Sequence, residues 1–226
     1  MMHPDTAVKH VSDTIGDGVF ATAFIPLGTI VYVEDALEIK LSPRKFSSLG
    51  EKIRRIADEY SFIDNRGYRI LSWDIAKFVN HCCEPNSIST GWGFEVALRD
   101  IEAGEQITDE YGLFNLEWQI ACGCGSPRCR GIISSGDLDR YYSIWDEWIK
   151  KALAHLPCVS QPLRDLVERD KLTGLNEYLA TGVGYRSVVE LKFDRALISS
   201  GSTGERPDEI AEPLPVATYG HRNGRV

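Results

Sequence analysis

The sequence predicts an α+β protein, with short strands joined by tight turns over roughly the first 120 residues and a helical segment after them. Three observations carry that expectation. Residues 15–35 hold short β-rich runs separated by Gly16-Asp17-Gly18 and Ile25-Pro26-Leu27-Gly28, both turn formers. Beyond residue 137, Leu138, Tyr141, Trp145, Trp148, Ile149, Ala152 and Leu156 recur at helical spacing. Five of the six cysteines fall in two segments, 80–86 and 122–131, which look built to meet.

The remaining elements follow in chain order. Ser42 and Pro43 open a helix expected to run to Tyr60, with Pro43 at its first position and Phe46, Leu49, Ile53, Ile56 and Ala57 as its apolar stripe. Residues 62–72 read as a hairpin around Asn65-Arg66-Gly67, and 89–98 and 105–111 as strands separated by Asp100-Ile101-Glu102-Ala103-Gly104. Asp137 is expected to cap a helix ending near Leu156, where Pro157 stops it. Two further helices are expected at 162–170 and 173–180. Residues 187–226, richest beyond 197 in Gly, Pro, Ser, Arg and Glu, read as a flexible tail.

Composition narrows the functional classes. The chain has 226 residues, of which 43% are hydrophobic and 26% charged, as in ordinary soluble proteins. No run approaches the ~20 apolar residues of a membrane span, and the first ten residues lack the apolar core of a secretion signal. An intracellular location, cytoplasmic or nuclear, is therefore expected, with no membrane partner. The net charge of −8 disfavours direct nucleic-acid binding and suits a cationic partner such as a lysine-rich segment.

The cysteines point to a metal. Tetrahedral zinc holds thiolates at about 2.3 Å, which sets neighbouring sulfurs ~3.8 Å apart. Residues i and i+2 of a straight strand are roughly 6.5–7 Å apart, so a chain supplying both Cys122 and Cys124 must curl. Gly123 and Gly125 permit the curl. Cys129 makes a third ligand, and Cys83 from the other segment is the natural fourth. Cys82 or His81 are alternatives for that corner, and a buried thiol at Cys83 or disulfides are the non-metal readings. A four-thiolate site is closed to water and structural, and Arg128 and Arg130 are placed to offset its charge.

Taken one at a time, Gly16-Asp17-Gly18, Asn80-His81 and Tyr111-Gly112 are weak signals, but their order is informative. Gly16-Asp17-Gly18-Val19-Phe20-Ala21, then Lys77-Phe78-Val79-Asn80-His81-Cys82-Cys83-Glu84-Pro85-Asn86, then Gly104-Glu105-Gln106-Ile107-Thr108-Asp109-Glu110-Tyr111-Gly112, and lastly the cysteine segment from Cys122 resemble the SET-domain lysine methyltransferases with a post-SET segment. The resemblance covers residues 11–134. It implies a SET fold of small sheets with a knot-like thread over 11–120, a post-SET zinc segment over 121–134, and a helical region at 137–182 outside the resemblance.

What the resemblance implies for chemistry is specific. S-adenosylmethionine lies against the turn carrying Gly16, Asp17, Gly18 and Phe20. Asn80 holds its methionine end, the His81 backbone its adenine, and Tyr111 stands where cofactor and substrate meet. Zinc on Cys83, Cys122, Cys124 and Cys129 pins the post-SET loop over the site. The expected reaction is methyl transfer to a lysine side-chain amine of a protein, with a non-catalytic SET-like binding module as the alternative. Three positions depart from the family pattern: Lys77 stands for Arg, Cys82 for Ser, and Asp109 for an aromatic residue that tunes how many methyl groups fit.

Overall fold

The computed structural model describes residues 1–193, and these form twelve short strands and four α-helices. Strands β1 (Thr6–Ser12) and β2 (Gly16–Ala21) make an antiparallel ribbon with an irregularity between His10 and Ser12. Gly16 sits at φ +85°, a left-handed conformation that a residue with a β-carbon rarely adopts. Strands β3 (Ile30–Val33), β8 (Ser87–Ser89) and β9 (Phe94–Ala97) form a second sheet in the order β3-β9-β8. Every residue of β3 and β9 is buried. One charged residue, Glu95, lies inside that buried stretch.

A third sheet, β4 (Ile39–Leu41), β5 (Ser61–Ile63) and β6 (Arg69–Leu71), has the order β4-β6-β5. The expected hairpin at 62–72 is its β5–β6 pair, turned at Gly67 with φ +84°. The helix expected over 43–60 is two helices, α1 (Pro43–Ser47) and α2 (Glu51–Tyr60). Gly50 is extended, with ψ 148°, and opens the second, consistent with glycine's poor helix propensity. The strand expected at 89–98 is also broken. Thr90 and Gly93 form a tight turn in which Thr90 Oγ1 donates to Phe94 O at 2.8 Å and Gly93 takes φ +78°.

Of the strand expected at 105–111, only β10 (Thr108–Asp109) enters a ladder. It pairs in parallel with β7 (Asn80–His81), Thr108 opposite Asn80 and Asp109 opposite His81. The preceding residues join β2 instead, through Ile107 N–H to Val19 O at 2.7 Å and a bridge between Gln106 and Phe20.

The helical region begins with α3 (Asp137–His155). Gly136, not Asp137, occupies its cap position; Asp137 lies in the first turn and accepts from Ser134 Oγ at 3.2 Å. Leu138, Trp145, Ile149 and Leu153 of α3 pack into one core with Ile30, Val33, Phe94 and Leu113. The helix expected at 162–170 is reduced to a 3-10 turn at Arg164–Leu166, and α4 (Arg169–Thr181) starts earlier than expected. Gly182, at φ +74°, ends it in the left-handed manner common at helix termini. The first residues of the expected tail are docked: Asp146 accepts from Ser187 Oγ at 2.6 Å and from Val188 N at 3.0 Å, and Val188 is fully buried. The rest of that tail, 194–226, lies outside the described residues. No helix among the described residues is long and apolar enough to cross a membrane.

Candidate active site and metal centre

Strands β11 (Ile120–Ala121) and β12 (Ile132–Ile133) pair antiparallel and close the cysteine loop at its base, reinforced by Cys122 N–H to Gly131 O at 2.8 Å. Within it, the sulfurs of Cys122, Cys124 and Cys129 meet that of Cys83, all four within 4.8 Å of one another. Cys83 Sγ and Cys122 Sγ are 3.8 Å apart, the edge of a tetrahedron built on ~2.3 Å bonds. All six cysteines are free thiols, so the disulfide reading fails among them. The donor set fits a closed zinc site.

The alternatives for the fourth corner lie beside the four-sulfur group rather than in it. Cys82 Sγ accepts from Glu84 N at 3.4 Å and meets Cys124, and His81 Nε2 lies 3.3 Å from Cys83 Sγ. Tyr111 N–H is 3.1 Å from His81 Nδ1. His81 Nδ1 also lies 3.1 Å from Asp109 O, so one imidazole stands between the sulfur cluster and the tyrosine turn. Burial, and then the nearby Arg130 charge, hold the His81 pKa down at about 4, so the ring is neutral.

Tyr111 follows β10 in a short 3-10 turn. Its hydroxyl donates to Val79 O at 2.7 Å, and its ring lies between His81 and Phe114 at centroid separations of 5.4 and 5.1 Å. Burial, then the Asp109 and Glu95 carboxyls, push the phenol above its ordinary range and keep it protonated. On the other side of β7, Asn80 Nδ2 donates to Asp17 O at 2.9 Å, tying the parallel ladder to the glycine turn. A β-carbon on Gly18 would come within 2.9 Å of Asn80 Nδ2, Gln106 Nε2 and Val11 Cγ2, so this position has no room for a side chain. Phe20, further along β2, carries Lys9 Nζ over its ring at 5.3 Å.

The two arginines do more than balance thiolates. Arg128 Nε faces Glu84 at 3.4 Å. Arg130 offers its backbone N–H to Cys83 Sγ at 3.3 Å while its guanidinium reaches Glu110 at 2.5 Å and Asp137 at 3.5 Å. Glu110 Oε1 also caps the tyrosine turn through Gly112 N at 2.8 Å. Metal loop, tyrosine turn and the start of α3 thus share one buried charge network. Sequence reading missed Glu110 and Asp137 because they come from separate segments; an acidic residue beside the expected catalytic tyrosine was the available signal.

Glu110 is fully buried, and burial raises its pKa to about 7 despite the opposing pull of Arg130. The folded state therefore holds more protons than the unfolded state between the ordinary carboxyl value and pH ~7, and stability falls as pH rises through that window. Replacing Glu110 by Gln should flatten that fall by at most about 3 kcal/mol. Urea unfolding of both proteins at pH 5 and 7.5 measures the difference; equal slopes would contradict the assignment.

The glycine turn, the parallel ladder leading to a half-buried tyrosine and the clasped cysteine loop define a small, mainly-β domain. Residues 16–112 match the family model described as the SET domain, and the chain carries a SET domain there. It is 36% identical over 72 residues to the histone-lysine N-methyltransferase ATX2 of Arabidopsis thaliana, covering 29% of this chain and 7% of that protein. A variant-silencing SET domain-containing protein of Plasmodium falciparum is 33% identical over 140 residues, 55% of this chain and 5% of that one. The histone-lysine N-methyltransferase ASHR3 of Arabidopsis thaliana is 30% identical over 98 residues, 40% of this chain and 20% of its own length. The chain thus matches only a small part of each of these relatives. The crystal structure of KRYPTONITE in complex with mCHG DNA and SAH aligns at a TM-score of 0.40 and 23% identity over 57% of this chain and 28% of that one.

Proposed function

We propose that the protein is an S-adenosylmethionine-dependent methyltransferase acting on the side-chain amine of a lysine in a protein or peptide. The observation that carries the reading is the parallel β7–β10 pairing, which brings Asn80, its glycine turn and Tyr111 to one locality. When bound, S-adenosylmethionine supplies a methyl group already activated by a sulfonium. Gly16, Asp17, Gly18, Phe20, Asn80 and the His81 backbone are the residues that would hold it.

This chain's own work is then alignment, exclusion of water and proton management. Aligning an amine in attack geometry contributes several kcal/mol. The Tyr111 hydroxyl, fixed on Val79 O and kept neutral, orients the amine through its oxygen lone pairs. Zinc on Cys83, Cys122, Cys124 and Cys129 has a structural role, holding the loop and, through His81 and Arg130, the tyrosine turn. The post-SET assignment of 121–134 is part of the same proposal.

Transfer of labelled methyl from S-adenosylmethionine to proteins of a cell lysate, with mass spectrometry of the labelled peptide, tests the reading; label on lysine is expected. Cofactor binding with no label would mark a binding module instead. Gly18→Ala should weaken S-adenosylhomocysteine by about tenfold or more, because the new methyl displaces Asn80. Calorimetric titration reads this, and unchanged affinity would remove Asn80 and the turn from the cofactor site.

A further inference from the structure

A cavity of about 350 Å³ opens between β9, the β5–β6 turn, α4 and a 3-10 turn at Val188–Leu191. Phe62, Phe94 and Phe114 give it apolar surface, and Ser89 and Glu95 polar groups. Three ion pairs rim it, Lys40 with Glu34 at 2.6 Å, Arg66 with Asp64 at 3.2 Å and Lys171 with Glu168 at 3.1 Å, and Arg186, over the Trp92 ring at 5.0 Å, and Glu190 also line it. Glu95 sits apart from these pairs. It is only 8% exposed, and its Oε2 has no hydrogen-bond partner.

The other side of the Glu95 carboxyl meets Asp109, itself 1% exposed. Asp109 accepts from Glu110 N at 2.7 Å and from Ser89 Oγ at 3.4 Å. Two carboxyls are therefore buried together; the cation acting on Glu95 is the Met1 ammonium, which is itself paired with Asp35 at 2.9 Å. A buried carboxyl pair short of positive charge and an orphaned acceptor are both expensive, which makes a cationic ligand the natural complement. The cavity also abuts the candidate active site, because Phe114 lines it and its ring centroid lies 5.1 Å from that of Tyr111. Apolar walls leading to a buried acceptor suit an alkyl chain with an ammonium at its tip.

We propose that this cavity receives the substrate's lysine side chain, with Glu95 Oε2 accepting a hydrogen bond from the ammonium and Asp109 supplying the balancing charge. The inference rests on the methyltransferase reading and adds to it the group that recognises the ammonium and takes its proton. One N–H bond of the ammonium breaks as an O–H bond forms on Glu95 Oε2. The proton already on Glu95 passes from its other oxygen to Asp109, and the electron pair stays on nitrogen, leaving a neutral amine and two neutral carboxyls. The electrostatics agree: burial, and then Asp109, hold Glu95 protonated, while burial raises Asp109 to about 6 despite the hydrogen bonds from Glu110, Glu95 and Ser89. Asp109, at a position that is aromatic in the family pattern, thereby acquires a use.

The test is calorimetric binding of two probes to the full chain in the presence of zinc and S-adenosylhomocysteine. Nα-acetyl-lysine methylamide carries the ammonium, and Nα-acetyl-norleucine methylamide lacks it. The lysine probe should bind at least about tenfold more tightly, as expected for a charge-assisted hydrogen bond. Glu95→Gln and Asp109→Asn should each remove most of that preference. The carbon-13 carboxyl signals of both residues should shift with the lysine probe alone, which reads the contact even if a variant unfolds. Equal binding of the two probes, or an unshifted Glu95 signal, overturns the proposal. Lysine methylation undiminished in Glu95→Gln would sink this inference alone, whereas a probe preference without any methyl transfer would sink the functional reading alone.

Discussion

Tyr111→Phe should lower methyl transfer by about 10² or more, equivalent to ~2.7 kcal/mol of barrier, while metal content and S-adenosylhomocysteine affinity stay where they were. The substitution keeps the ring that packs between His81 and Phe114 and removes only the oxygen held on Val79 O. The lost hydrogen bond should lower stability by about 1 kcal/mol. A turnover rate that drops with little change in KM identifies an interaction made in the transition state. Unchanged transfer would remove Tyr111 from the chemistry and leave it as a packed aromatic.

Cys83→Ser should lower zinc affinity by more than about 100-fold, past the range seen when only a supporting residue around a metal is altered. A serine hydroxyl does not ionise to replace a thiolate, so three sulfurs remain for a tetrahedral ion. The change also removes the acceptor for Arg130 N–H and the neighbour of His81 Nε2, so methyl transfer should fall with the metal. Elemental analysis of the purified variant, beside Cys158→Ser as a control on an exposed cysteine, reads the first effect. Stoichiometric zinc in Cys83→Ser would return the fourth corner to another donor.

The broad architecture was legible because burial imposes regular patterns. Ile30-Val31-Tyr32-Val33 had to be a covered strand, and the aromatic spacing along α3 had to be a core face. Breaks were harder to see. Gly50 and Gly93 interrupt elements that hydrophobic pattern alone would continue, since a glycine's backbone angles depend on what surrounds it. The two arms of the cysteine cluster were legible from thiol spacing and glycine placement. The network of Glu110, Arg130 and Asp137 was not, because its members are brought together only by packing. Glu95 went unread: an acid between Phe94 and Val96 conflicts with local rules only once the strand is known to be buried on both faces.

A β-carbon on Gly112 would lie 2.8 Å from Trp145 Cη2, so the first long helix beyond the cysteine loop rests directly on the backbone beside Tyr111. That contact changes what counts as the smallest working unit. A truncated molecule ending after the loop would retain every signature motif, yet bare the oily flank formed by Val33, Phe94 and Leu113. It would clump before it could turn over, so the borders of a recognisable motif are a poor guide to where this polypeptide can be cut.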